Sequence, residues 1–278
     1  MKLGIHLSLW AKKFTDPFIN DIGRAAQLGF DSVEIPLMNP VEILVERVIE
    51  ELERNNLEVY CGTGLGLNTD ISSPEQTIRE NGLSHILACL DVAHRLGSHS
   101  LDGVIHSAWG KKDRVGLMDR KRSAEVLKEA ANKAGELDME LALECINRYE
   151  SSFLNTVEQG LELLELIDMP NVGLHLDTYH MNIEEKSIPA ALVKCGSKLY
   201  HLHLSENNRG YPGSGSINWR EIFETLKVIN YKKGLVIESY VVPETLAGDN
   251  VCIWRQIEKD TEDSLRESVN YIKQSFSN

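Results

Sequence analysis

Leu141-Ala-Leu-Glu-Cys-Ile-Asn-Arg-Tyr-Glu150 opens as a short apolar run, reads as a buried strand, and ends on a carboxylate, Glu144, with Asn147, Arg148 and Glu150 just beyond. An acid closing a core strand needs a partner to offset its desolvation. Three later stretches repeat the design: Asn171-Val-Gly-Leu-His-Leu-Asp177, Lys198-Leu-Tyr-His-Leu-His203 and Gly234-Leu-Val-Ile-Glu238. The four strand ends offer Glu144, Asp177, His203 and Glu238. Three carboxylates and one imidazole suit Mn²⁺, Co²⁺ or Mg²⁺ better than a thiolate-seeking structural zinc.

Outward from that stretch, short apolar runs alternate with segments of helical spacing along the whole chain. The expected strands are Leu3 to Leu7, Ser32 to Ile35, Glu58 to Gly62, Ser100 to Ile105, Glu140 to Glu144, Val172 to Leu176, Leu199 to Leu204 and Leu235 to Glu238. Between them, Ser73-Pro74 is expected to open a helix that runs to Leu96 and stops at Gly97. Ser187-Ile-Pro189 opens another, closed by Gly196, and Asn218-Trp219 a third; Ser123 to Leu137 is helical by content, and Glu258 to Phe276 reads as a last outer helix. Eight strand-then-helix units with no linker predict one domain over 1–278, an α/β (β/α)8 TIM barrel. A doubly wound sheet would need a glycine-rich turn after the first strand. Here Gly62-Thr-Gly-Leu-Gly66 follows the third and lacks the lysine and hydroxyl of a phosphate loop.

The chain has 278 residues, 42% of them hydrophobic, enough to bury a full barrel core. A net charge of -13 argues against nucleic acid as a partner, and the densest basic runs, Lys111 to Arg114 and Arg120 to Arg122, read as solvated surface. Five scattered cysteines (Cys61, Cys89, Cys145, Cys195, Cys252) imply neither a disulfide framework nor a thiolate site. With no basic-then-apolar leader and no long apolar run, a cytoplasmic protein without a membrane partner is expected.

In such a barrel the carboxyl ends of the strands form one mouth, so Glu144, Asp177, His203 and Glu238 would converge there. Any one of them alone reads equally well as a capping acid or a bonded loop residue; four on successive strands do not. His201 shares a face with His203 but lies deeper, and it reads with His175 as a core histidine or one that supports a ligand from behind. Glu150, His180 and Arg209 follow the strand-end groups at short distance. Arg209 lies in a glycine-rich loop, Ser205 to Gly215, that reads either as a cover for a polyhydroxyl ligand or as a plain surface turn. Trp10 and Trp109 sit a few residues beyond strands, where they would stack on a sugar face or pack at the rim.

The chain resembles the ketose 3-epimerases, the D-tagatose, D-psicose (allulose) and L-ribulose 3-epimerases of the xylose-isomerase-like barrel superfamily. The resemblance runs from Met1-Lys-Leu-Gly-Ile-His6 to Trp254-Arg255. It is carried most specifically by Leu143 to Glu150, Leu176-Asp-Thr-Tyr-His-Met-Asn-Ile-Glu-Glu185, His201-Leu-His-Leu-Ser-Glu-Asn-Asn-Arg209 and Val236-Ile-Glu-Ser239. It implies that Glu144, Asp177, His203 and Glu238 hold one divalent ion, usually Mn²⁺ or Co²⁺. It further implies that Glu150, His180 and Arg209 bind oxygens at the first carbons of the sugar, and that the chain forms a dimer or tetramer. At positions against the far end of the sugar the chain departs from D-psicose-type members. His6-Leu7 replaces aromatics, Phe14 replaces a tryptophan found in some, and Gly62 to Gly66 differs, so the preferred ketose is left open.

Epimerising a ketose at C3 removes a proton beside the C2 carbonyl and returns one to the opposite face. A divalent ion would polarise that carbonyl, and Glu144 and Glu238, three strands apart in the ring, would serve as the two bases. An aldose-ketose isomerase would use the same groups on C1 and C2. A zinc nuclease would need a richer His and acid cluster and a basic rim. A sugar-binding protein without chemistry would show a lost ligand or base, and none is lost here.

Overall fold

The computed structural model describes residues 2–11, 18–243 and 245–277; Phe14 lies outside them. Eight parallel strands close into a barrel in sequence order: β1 (Leu3–His6), β2 (Ser32–Pro36), β3 (Glu58–Leu65), β4 (Ser100–Ala108), β5 (Glu140–Glu144), β6 (Val172–Asp177), β7 (Leu199–Leu204) and β8 (Gly234–Ile237), with β8 paired back to β1. The expected (β/α)8 architecture is the observed one. Covered inside and out, the strands read as near-continuous apolar runs rather than alternating ones. Their register sets the site: Glu144 pairs with His175, Asp177 with His203, and His203 with Val236, so the ends of β5 to β8 finish nearly level. Glu238 extends β8 by one step, its amide donating to the Leu204 carbonyl at 3.2 Å.

The outer layer comprises α1 (Ile19–Gln27), α2 (Val45–Asn55), α3 (Gln76–Leu96), α4 (Leu117–Glu136), α5 (Val157–Ile167), α6 (Thr178–Glu184), α7 (Ile188–Cys195), α8 (Trp219–Val228), the short α9 (Leu246–Asn250) and α10 (Thr261–Ser277). Gly97 stops α3 at φ 86°, and Ser187 caps α7 by accepting from the Ala190 amide at 3.3 Å, both as the sequence predicts. Two starts differ. Ser73 does not cap α3; its hydroxyl accepts from the Glu75 amide at 3.1 Å in a turn, while Arg79 holds the Ser73 carbonyl at 2.8 Å, so the helix begins at Gln76. Helix α4 begins at Leu117, six residues before the expected Ser123, because Asp119 accepts from the Gly116 amide at 2.7 Å and caps an earlier turn. Among the described residues, no helix is long and apolar enough to cross a membrane.

Strands β3 and β4 approach closely next to the mouth, and Gly103 is what allows it. It adopts φ 114°, and a Cβ there would sit 2.2 Å from the Thr63 carbonyl oxygen. Gly103→Ala therefore combines backbone strain with a clash against main chain, a cost on the order of 3 kcal/mol. Thermal unfolding should show a melting point lowered by about 6–12 °C; an unchanged value would mean that this contact is not tight.

Candidate active site

The cavity at the carboxyl ends of the strands has a volume of about 280 Å³. Pro36, Met38, Leu65, Val104, Ile146 and Val251 supply apolar lining, and titratable groups supply much of the rest. Ligand-capable atoms of Glu144, Asp177, His203 and Glu238 all lie within 4.8 Å of one another. The structure thus brings together the four groups chosen from strand ends. Glu150, His180, Arg209, His6 and Trp109 line the same cavity.

Each side chain is aimed by what surrounds it. Asp177 divides its oxygens: Oδ1 caps α6 by accepting from the Tyr179 amide at 2.7 Å, and Oδ2 accepts from Arg209 Nη1 at 2.7 Å. His203 donates Nε2–H to Glu34 Oε2 at 3.0 Å, which leaves Nδ1 facing Glu238 Oε2 at 3.6 Å with no hydrogen-bond partner. A buried imidazole nitrogen without a partner, its ring fixed by a carboxylate on the far side, has the character of a metal-ligating histidine. Glu144 is set by its strand, whose last carbonyl accepts from His106 Nε2 at 2.9 Å; burial lowers His106 to about 4 and keeps that ring neutral. Among the described residues its own carboxylate has no hydrogen-bond donor and meets imidazoles at longer range, His180 at 3.8 Å and His175 at 4.0 Å.

The electrostatics favour a cation. Burial, then the Glu238 charge, pushes Glu144 well above the usual carboxylate range, and burial pushes Asp177 up as well. Burial would raise Glu238 too, but His203 and Arg209 outweigh it and hold its carboxyl well down. Burial opposes protonation of His203, yet Glu34 and Glu238 overcome it and raise that ring. A bound divalent ion would relieve the crowding of these acids and satisfy His203 Nδ1. The donor set fits the ion that the four strand ends suggested.

Arg209 stands at φ 65° and is buried, with Nη1 bridging Asp177 and Glu238 (2.7 and 2.9 Å) and its guanidinium 4.0 Å above the Tyr179 ring. His180 Nδ1 accepts from the Asn147 amide at 3.1 Å, so the ring proton belongs on Nε2. That N–H then faces Arg209 Nη2 at 3.1 Å, donor against donor. A ligand oxygen lying beside the pair, within reach of both N–H groups, would accept from each. Glu150 accepts from Asn147 Nδ2 at 2.9 Å and from Trp109 Nε1 at 3.1 Å; burial would raise its carboxyl, but His180 and Arg209 keep it low.

Two readings that the sequence left open narrow here. Trp10 lies outside the cavity lining, its ring covered by Arg24 at 4.4 Å. Of the Ser205 to Gly215 loop only Arg209 lines the cavity, which favours the surface-turn reading for the rest of it. The buried Glu206 pins the loop, accepting from the amides of Gly213, Asn207 and Ile217 (3.0, 3.2 and 3.3 Å) and from Trp219 Nε1.

Two acids that the strand-end rule did not select lie deeper. Glu34 accepts from both His201 Nε2 (2.8 Å) and His203 Nε2 (3.0 Å), and these two rings hold it well down against the opposing effect of burial. Burial, and then the neighbouring Glu34, pushes the Asp102 carboxyl well above the usual carboxylate range. Gly62 makes room for both, since a Cβ there would meet Glu34 Oε1 at 2.7 Å and Asp102 Oδ1 at 3.2 Å. An acid inside an otherwise apolar strand was the available signal at both positions.

The xylose isomerase-like TIM barrel family matches residues 22–274. An L-ribulose 3-epimerase of Methylomonas sp. is 31% identical over 280 residues, covering 99% of this chain and 98% of that protein. A D-psicose 3-epimerase of Ruminiclostridium cellulolyticum is 34% identical, covering 95% of this chain and 92% of its own. A crystal structure of D-allulose 3-epimerase from Methylomonas sp. in complex with D-allulose is similar with a TM-score of 0.93 at 32% identity, over 99% of this chain and 97% of that one.

Proposed function

We propose, from the premise that this chain belongs to the xylose isomerase-like TIM barrel family and within it to the ketose 3-epimerases, that it interconverts C3 epimers of free ketoses of the D-psicose (D-allulose), D-tagatose or L-ribulose kind. The observation that carries this reading is the pair of carboxylates, Glu144 at the end of β5 and Glu238 just after β8, gathered within 4.8 Å of Asp177 and His203, whose Nδ1 has no hydrogen-bond partner. Glu144, Asp177, His203 and Glu238 would hold one divalent ion, Mn²⁺ or Co²⁺ with Mg²⁺ as the third choice. Such an ion supplies Lewis-acid polarisation of the C2 carbonyl, worth several kcal/mol of barrier.

The remaining chemistry falls to side chains. One of Glu144 and Glu238 takes the C3 proton and the other returns a proton to the opposite face, with the roles exchanged in the reverse direction. His180 Nε2–H and Arg209 Nη2 converge on the oxygens of the first carbons, and Glu150 accepts from a hydroxyl at that same end. His6 and Trp109 bound the sugar from the β1 and β4 sides, and the apolar lining meets its far carbons. Arg209 is the one Lys or Arg among the described lining residues, and it already faces Asp177 and Glu238, which favours a free ketose over a phosphorylated one.

The test is a panel of C3-epimer ketose pairs incubated with Mn²⁺ or Co²⁺ and resolved by carbohydrate chromatography. Ketose product epimerised at C3 is expected, with at least one pair turned over. Aldose product would replace this reading with carbonyl shift between C1 and C2, and no conversion of any pair would remove it.

A further inference from the structure

The two candidate bases are held very differently. Among the described residues the Glu144 carboxylate has no hydrogen-bond donor, just the long contacts to His180 and His175. Glu238 is fastened at both oxygens: Oε2 faces Arg209 Nη1 (2.9 Å) and His203 Nδ1 (3.6 Å), and Oε1 accepts from the Tyr240 hydroxyl at 2.8 Å. Tyr240 is itself fixed. Its ring is buried, its hydroxyl lies 3.2 Å from Ser8 Oγ, and its amide donates to the Arg209 carbonyl at 2.9 Å. Ser8 Oγ in turn is hydrogen-bonded to His6 Nδ1, and His6 borders the cavity. A line of hydrogen-bonding groups thus runs His6, Ser8, Tyr240, Glu238 along the rim from β1 to β8, and neither Ser8 nor Tyr240 has a part in the proposed chemistry.

We propose that Tyr240, braced by Ser8, is a positioning residue for Glu238. By donating to Oε1 it prevents the carboxylate from rotating to present both oxygens to the ion, so that Oε2 alone faces the other ligands and one lone pair of Oε1 stays aimed at the sugar carbon. Glu144, without such a tether, adjusts to the substrate instead. The proposal rests on the reading of Glu238 as a base in ketose epimerisation and adds what makes it one.

The decisive variant is Tyr240→Phe, which removes only the hydroxyl. Turnover number is expected to fall about 10–100-fold, with KM nearly unchanged and a larger kinetic isotope effect for a C3-deuterated ketose. Mn²⁺ binding to the metal-stripped protein, read by calorimetry, should be as tight as in the wild type or tighter, because the freed carboxylate gains a second oxygen for the ion. Ser8→Ala should slow turnover in the wild-type background and add little in Tyr240→Phe, the non-additivity expected of groups acting in series. A variant with wild-type turnover, or one that loses turnover and Mn²⁺ affinity together, overturns the proposal. Absence of ketose epimerisation in the wild type would overturn the functional reading itself, and the wild-type control separates that outcome from the others.

Discussion

Glu144→Gln is expected to lower ketose epimerisation by about 10²–10⁴-fold and to abolish exchange of the C3 proton with solvent to the same extent. Glutamine keeps the volume and the hydrogen-bonding shape of the side chain but can neither take up a proton at carbon nor carry charge. The fold should not suffer. In the metal-free protein Glu144 is a liability, because burial and the neighbouring Glu238 raise its carboxyl. For a raised acid the sign is clear: ionisation works against folding as the pH climbs from the unfolded value, about 4, towards the folded one. Glutamine removes that penalty. The metal-stripped variant should therefore melt at or above the wild-type temperature near neutral pH, and its dependence on pH should be flatter. Together these readings separate a lost base from a damaged barrel. Retained C3 exchange in the variant would take Glu144 out of the mechanism, leaving Glu238 to act with some other group.

How much of this was legible in the sequence depends on where each residue sits along its strand. Glu144, Asp177, His203 and Glu238 stood out because a parallel barrel sends all its strand ends to one rim, so four polar groups closing four apolar runs predict a cluster without any knowledge of distances. The observed register of β5 to β8 supplies that convergence. Glu34 and Asp102 were hidden by the same rule. They lie inside their strands, and the imidazoles that hold Glu34, those of His201 and His203, come from a strand far off in the chain. Tyr240 gave no signal at all, since its partner across the rim, Ser8, is separated from it by 232 positions. The Ser205 to Gly215 loop stayed open between two readings for a physical reason: glycines and amides suit a mobile cover and also a loop wound tightly around one buried carboxylate. Only the backbone donors converging on Glu206 distinguish the two.

Stripping the divalent ion should have the larger combined effect, because the same four groups then cost the protein both chemistry and stability. After exhaustive chelation, turnover is expected to fall by about 10²-fold or more, the equivalent of several kcal/mol of carbonyl polarisation. Mn²⁺ or Co²⁺ should restore it. The stability effect follows from binding to the folded state alone: an ion at about 1,000 times its dissociation constant adds roughly 4 kcal/mol. For a chain of this size that raises the melting temperature by about 8–16 °C. The gain is expected here because the cation-free site crowds Glu144, Asp177 and Glu238 within 4.8 Å of His203 and leaves the imidazole Nδ1 without a partner. His203→Ala removes the one nitrogen donor while the carboxylates stay, so it should lose most of the metal-induced shift and keep its barrel. If the chelated protein melts and turns over as the untreated protein does, these four side chains are an acid cluster satisfied by Arg209, and a cation has no place in the reaction.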